Sequence, residues 1–542
     1  MKKMLALVLA LLLSLSMLSG LALADENGGD TLNIALASSP ETIDPARNSA
    51  VDGACYAVHQ FEGLMRYKWD GTGVEFGMAE SYEVSEDGMV WTFTLRDSKW
   101  SDGEPVTAKD FEYGYRRLVD PMLAAPYGAD MGGFIKNGTK IAMAEEGLTI
   151  ADLGVRVIDD KTFEITLESP CPFFEEIVAF PVFSPIREDI IEKYGNDNWV
   201  KGPESYVSNG AFMMDSFTLD DAMSSVPNPG YWDAASIKPA RINWMFLSDD
   251  KAELAALRAG EAHFIDGFPQ EESLALKADG LHGIIPQLGT YYISFNVERA
   301  PLDNPLVRKA LSLAIDTDFI ANVLRQGNVT PAEAFVGTGF RTSGASKLFR
   351  DDYATYMSPA DYAANCETAQ AALAEAGYPN GEGIAKIEYL LNDNTGHIMI
   401  AEALQKMWHD VLGIDIEIRV ADWAVVTADR REGNFNIARN GWIGDYNDPA
   451  TMLTLFLSTS GNNDGQYKNP DFDAKIAASF AETDPDTRNQ LLHEAEDILI
   501  GQDWACAPVY YYSDEWGVAQ ELKDWGITPL GYKFFQKAYL AE

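Results

Sequence analysis

Along Met89-Val90-Trp91-Thr92-Phe93-Thr94-Leu95 apolar and polar residues alternate with a period of two, the pattern of a strand with one face in a core. Thr31 to Leu36 and Thr162 to Leu167 predict strands in the same way, as do Ile414 to Ile418 and Phe435 to Arg439. Helical spacing takes over elsewhere. Thr107-Ala108-Lys109-Asp110 has the form of a capping box ahead of Phe111, Tyr115 and Leu118, which recur at one-turn intervals. Asn304-Pro305 supplies a cap and a first-turn proline before Val307, Leu311, Leu313, Ala314 and Ile315. Helices predicted over 364–376 and 401–412 end at Gly377 and Gly413, and a late helix is predicted over 489–500. Strands and helices mix along the chain without repeats or low-complexity linkers. That predicts an α/β or α+β protein of more than one lobe.

The N-terminus departs from this pattern. Lys2 and Lys3 precede an apolar run from Met4 to Leu23, and Ala22-Leu23-Ala24 supplies the small residues of a signal-peptidase site. The run is almost long enough to span a bilayer, so retention as an anchor is the alternative to cleavage after Ala24. The polar Asp25-Glu26-Asn27-Gly28-Gly29 that follows favours cleavage, and no cysteine lies near the site to carry a lipid. Cleavage leaves about 518 residues, enough for two or three domains. It removes two lysines and no acid, so the formal charge moves from −42 to −44. Such a charge argues against nucleic acid and anionic membranes as partners. Cys55, Cys171, Cys366 and Cys506 are widely spaced, and nothing in the sequence pairs them.

Catalytic patterns find little support. None of the six histidines sits in a metal-ligand spacing, and His397 and His409 are too far apart for one helical turn. The nucleophile elbow, the P-loop and the dinucleotide fingerprint are missing from the sequence. Asn462-Asn463-Asp464-Gly465 lacks the alternating acids of a calcium loop. No cofactor is implied. The stretch Gly441-Trp442-Ile443-Gly444-Asp445-Tyr446-Asn447-Asp448-Pro449 is more telling, because it sets a carboxylate between an indole and a phenol. A sheltered carboxylate wants a cation, from Arg439 or Arg430 or from a ligand. Local chemistry alone favours a turn there, since the segment is rich in Asx-turn formers.

Phe61-Glu62-Gly63-Leu64, Val90-Trp91-Thr92-Phe93 and the run from Lys99-Trp100-Ser101-Asp102-Gly103 to Asp110-Phe111 closely resemble the periplasmic oligopeptide-binding proteins of ABC importers. Ser208-Asn209-Gly210-Ala211, Asn228-Pro229-Gly230-Tyr231-Trp232, the helix from Asn304 to Ile315 and the Gly441–Pro449 stretch carry the likeness on toward the C-terminus. It implies a two-lobed α/β periplasmic-binding-protein fold, the Venus flytrap, with an additional inserted domain. Lobe I would combine 29–53, 191–288 and 513–542, inserted domain II would be 54–190, and lobe III 289–512. Chain crossings would fall near Leu288-Gly289 and Tyr511-Tyr512.

By the same resemblance the chain captures short peptides by strand addition and passes them to ABC permease subunits, as a monomer and not as an enzyme. The acid of the Gly-Trp-x-x-Asp-Tyr motif, here Asp445, would anchor the peptide's α-amino group, which reverses the local preference for a mere turn. Gly441 and Ile443 would offer main-chain groups from one lobe and Val51 from the other. Arg325, His397, Arg430 and Arg439 match positions that meet the terminal carboxylate, and Trp423, Trp442 and Tyr127 match aromatic pocket positions. Each has a structural alternative: Arg439 bridging nearby acids, Arg430-Arg431 as a solvated pair, His397 as a cap or surface residue, and the tryptophans as core. The chain also departs from the family. Ser49 and Ser294 stand where the well-known binder has acids, and Gly289 and Ile443 stand where its flanking disulfide has cysteines. The same fold binding a nickel chelate, haem or sugar is the alternative, with a peptidase behind it.

Overall fold

The computed structural model describes residues 29–541 apart from 37, 38, 41, 248, 343, 352 and 354, and the side chain of Ala424 is also left aside. The export signal expected over 1–24 lies outside the described residues. Among those described, no helix is long and apolar enough to cross a membrane.

The largest sheet holds the molecule together. Its strands lie in the order 416–421, 387–392, 437–443, 282–295, 506–518, 264–265, 31–35, 241–245, 222–227 and 212–218. The two long central strands, His282–Phe295 and Cys506–Val518, run antiparallel through both halves of the protein. They pair in two blocks, His282–Pro286 with Ser513–Gly517 and Thr290–Ser294 with Cys506–Tyr511, with a register shift between Pro286 and Thr290. On one side of that break the sheet continues into Thr31–Ala35 and its neighbours, and on the other into Ile437–Ile443. Every residue from Leu288 to Phe295 is buried, so this part of the strand is core on both faces.

A separate four-stranded antiparallel sheet pairs Ala79–Val84, Val90–Leu95, Thr162–Thr166 and Val155–Asp159. The helix Ala108–Leu118 covers it, laying Phe111 and Tyr115 against Phe163. Its capping box forms as the sequence predicts, with the Thr107 main-chain N–H donating to the Asp110 carboxylate at 2.8 Å.

Several sequence boundaries shift. The helix expected from 401 begins at Thr395, because the Asn394 side chain caps it by accepting from the His397 N–H at 3.1 Å. The helix expected over 489–500 starts earlier, at Pro485, with the Asp484 side chain as its cap, and runs past Glu496 into a π-helical turn over Asp497–Gln502. The strand expected to end at Arg439 runs on to Ile443. All four cysteines are free thiols.

Candidate functional site

The extra length of the Ile437–Ile443 strand makes the site. One edge pairs along its whole length with Gly289–Phe295. The other edge pairs with Ile387–Asn392 only at Ile437 and Ala438, so from Arg439 to Ile443 it carries no partner strand among the described residues. An uncovered edge of this kind is a template for an added strand. Gly441 sits in its middle for a steric reason: a Cβ there would lie 2.1 Å from the Tyr512 hydroxyl.

Beyond Ile443 the chain turns, and the two acids of the turn separate in role. Asp448 is fully buried and gripped by both terminal nitrogens of Arg488, at 2.6 and 2.8 Å. Its Oδ1 also accepts from the Ala450 N–H at 3.0 Å. This fork and Asx turn fix the segment. Arg488 in addition lies over the Phe173 ring at 4.9 Å, and Phe173 stacks on Tyr446 at 5.0 Å, which ties the turn to the segment around residue 173. Asp445, three residues earlier, has no cation among the described residues. The Tyr127 hydroxyl donates to its Oδ1 at 2.9 Å, while the Asp445 main-chain N–H donates to Thr451 Oγ1 at 3.1 Å. Burial pushes the Asp445 carboxyl up to about 7, the Tyr127 hydrogen bond opposes the rise, and the charge of Asp130 adds to it. Asp445, Tyr127, Asp130 and Trp442 line one cavity of about 250 Å³. The indole Nε1–H of Trp442 is buried without an acceptor.

The expected cations divide into two groups. Arg439 lies over the Tyr291 ring at 5.1 Å, and its Nη2 donates to the Tyr512 hydroxyl at 3.4 Å. Arg325 approaches the Tyr510 ring at 6.0 Å, and the His397 ring lies 5.6 Å from that of Tyr291. Neither arginine has an acid partner among the described residues, and the Nε of each is buried without a hydrogen bond. Burial lowers His397 to about 3, helped by the charges of Arg439 and Arg325, so at neutral pH it is an uncharged hydrogen-bonding group. Arg325 also opens onto a cavity of about 730 Å³ that reaches Asp249–Lys251 and Pro269–Glu271. Arg430 stands apart. It is buried, lies 3.2 Å from Asp464, and donates to Asn440 Oδ1 at 2.7 Å and to the Arg439 carbonyl at 3.2 Å. The solvated Arg430-Arg431 pair is thus corrected at Arg430, which already has an acid to neutralise it.

Trp423 is 53% exposed under the Arg430 guanidinium, and so is not core. Val51 opens the helix Val51–Gln60 and is 38% exposed, and Ser49 is exposed just before it. Ser294 is buried in its strand. Sequence reasoning passed over Asp130, Tyr510, Tyr512, Arg488 and Thr451. Only Tyr511-Tyr512, at an expected crossing, gave any signal. Among the described residues no group of three or more His, Cys, Asp or Glu could hold a metal ion.

Known proteins match the chain along most of its length. Residues 73–464 match the model of the bacterial extracellular solute-binding proteins, family 5, middle region. The chain is 35% identical to the oligopeptide-binding protein OppA of Bacillus subtilis, across 95% of this chain and 93% of that one. It is 33% identical to the periplasmic oligopeptide-binding protein OppA of Salmonella typhimurium, across 96% and 94%. The crystal structure of Haemophilus influenzae OppA in complex with RPPGFSPFR superposes with a TM-score of 0.76 at 30% identity, across 96% and 100% of the two chains. With an open strand edge between an acid lacking a cation and two arginines lacking an acid, and with matches of this extent, the chain belongs to the family 5 bacterial extracellular solute-binding proteins.

Proposed function

We propose that this protein captures short peptides outside the cytoplasm, in an extended conformation between two closing lobes, and delivers them to an ABC permease. One observation carries the reading: complementary unpaired charges stand at the two ends of an uncovered strand edge. The peptide's α-ammonium meets Asp445, and its main chain adds to the edge at Gly441 and Ile443. Val51 offers a further main-chain group from the facing lobe. Its carboxylate meets Arg439 in short peptides and Arg325 in longer ones, with neutral His397 as a hydrogen-bonding partner between them. Trp423, Trp442 and Tyr127 bound the side-chain pockets, and Ser49 leaves the pocket beside it without an acid. Arg430 supports the strand from behind.

From Arg439 to Ile443 the strand makes four steps of about 3.3 Å, roughly 13 Å, which is the reach of about four extended residues. Lobe I would combine 29–53, 191–288 and 513–542, domain II 54–190, and lobe III 289–512. Closure then works at the register break of the two long strands, and ligand that touches both lobes stabilises the closed form. The protein acts as a monomeric carrier, so peptides are recovered uncleaved.

The test is thermal melting of protein stripped of ligand by denaturation and refolding, with pools of di- to pentapeptides, free or N-acetylated. A ligand at a hundredfold excess over Kd stabilises by about 2.7 kcal/mol. A shift with free peptides that acetylation abolishes is expected. No shift with any peptide, or an equal shift with acetylated ones, overturns the reading.

A further inference from the structure

Domain II is bonded firmly to lobe I. Asp44 and Arg117, both buried, form an ion pair across that junction, with Arg117 Nη1 donating to Asp44 Oδ1 at 3.0 Å. Main-chain bonds add to it: the Lys99 N–H donates to the Gly230 carbonyl at 3.0 Å, and the Ser101 N–H to that of Ser208 at 2.8 Å. On the lobe division proposed above, on which this inference rests, the two move as one body, and lobe III swings against them at the register break.

Phe173 crosses the gap between these bodies. It belongs to domain II and is buried, yet the groups around its ring come from lobe III. It stacks on Tyr446 at 5.0 Å, meets Phe480 at 5.8 Å, and lies under the Arg488 guanidinium at 4.9 Å. Phe134, also of domain II, meets Tyr446 edge-on at 6.1 Å. Separating the lobes puts these rings in water, a loss that rings packed within one lobe do not suffer. None of the four is a group assigned to a peptide's termini or main chain, so the contact forms with or without ligand. We propose that Phe173 is a latch: seated against Tyr446, Phe480 and Arg488, it holds lobe III on domain II, so that the empty protein rests closed and admits ligand through transient opening. A peptide then has less of the closure to drive by its own contacts, and loss of the latch lowers affinity by the factor by which the closed population falls.

Cys171 reports on the latch. It is a buried free thiol two residues before Phe173, and the charges of Arg488 and Asp448 in lobe III bear on it. Burial pushes its pKa up, so alkylation waits for opening. Full-length mature protein, stripped of ligand by denaturation and refolding, is treated with iodoacetamide, and labelling at each cysteine is followed by peptide mapping. Wild type is compared with Phe173→Ala and Phe480→Ala, with small-angle scattering of the same samples. In wild type Cys171 is expected to label far more slowly than the partly exposed Cys366. Each variant should label it about tenfold faster or more and show a larger radius of gyration, while Cys55 and Cys506 keep their wild-type rates. Wild-type Cys171 labelling as fast as Cys366, no acceleration in the variants, or acceleration at an unchanged radius of gyration each overturn the proposal. Should Phe173→Ala speed Cys55 and Cys506 as well, the variant has lost its core, and Phe480→Ala, at a partly exposed position on the far side of the contact, decides. No arm uses a peptide. A failed latch therefore leaves peptide capture standing, and peptides that give no melting shift leave the latch standing.

Discussion

Replacing Asp445 by Asn keeps an oxygen to accept from Tyr127 and removes the charge, which has two consequences of opposite sign. In the empty cleft burial lifts this carboxyl from 3.8 to about 7, so the native state holds its proton more tightly than the unfolded chain does. Holding the carboxyl that far above its ordinary value makes the ionised form cost on the order of 3–4 kcal/mol. That cost is complete above pH 7, shrinks as pH falls through 7 toward the unfolded value of 3.8, and is absent below it. A buried amide in its place has a desolvation cost of its own, so the net stabilisation of ligand-free D445N at pH 8 should be about 1–3 kcal/mol. Binding moves the other way. A sheltered charge-assisted hydrogen bond contributes about 1.5–3 kcal/mol, so peptide affinity should fall by about ten- to a hundredfold or more. Scanning calorimetry of stripped protein at pH 8 and pH 4, with peptide titration at pH 7.5, reads both. D445N should melt higher than wild type at pH 8, lose that advantage at pH 4, and bind weakly. A variant that binds within threefold of wild type, or that is folded but melts lower at pH 8, would refute the reasoning.

Peptide affinity should peak between about pH 7, where Asp445 gives up its proton, and about pH 8, where a peptide α-amine does. Titration across pH should show up to a tenfold loss per unit on the acid side, and D445N should remove that limb. Amidating the C-terminus of a tetrapeptide, or changing Arg439 to Leu, should each weaken binding by about tenfold or more, and together hardly more than singly. Gly441→Ala drives a Cβ into the Tyr512 hydroxyl and should abolish binding, with Tyr512→Phe restoring part of it in the double variant. Arg488→Met leaves Asp448 charged and alone in the core, and should destabilise by about 3–5 kcal/mol in denaturant melts, with Asp448→Asn relieving part of the loss.

Elements whose signal was local were legible in the sequence. Val90–Leu95 and Thr162–Thr166 fall within a residue of their predicted limits, because period-two alternation reports directly on a one-sided strand. The late helix carried its own start signal in Asp484-Pro485, which was there to be read. The strand end at Ile443 was not readable, because Gly441 lowers strand propensity and its reason is Tyr512, seventy-one residues later in the chain. The first turn of the helix at Thr395 was hidden in the same way, behind Gly396 and a polar stretch with no apolar period.

Charge pairing decides the site, and pairing is non-local. Asp445 and Asp448 are indistinguishable within their own turn; Arg488 neutralises one and leaves the other to a ligand. Arg439 lies in the edge strand and Arg430 on the helix before it, yet Asp464 meets only Arg430. The hydroxyl that meets Asp445 comes from Tyr127, 318 positions away. A fold neutralises most of the charges it buries, so the few left unpaired around one open strand edge lower stability, and a ligand that supplies the missing partners recovers it. The binding site is therefore where local sequence rules say least, and where a single substitution should raise the stability of the empty protein while removing its ligand.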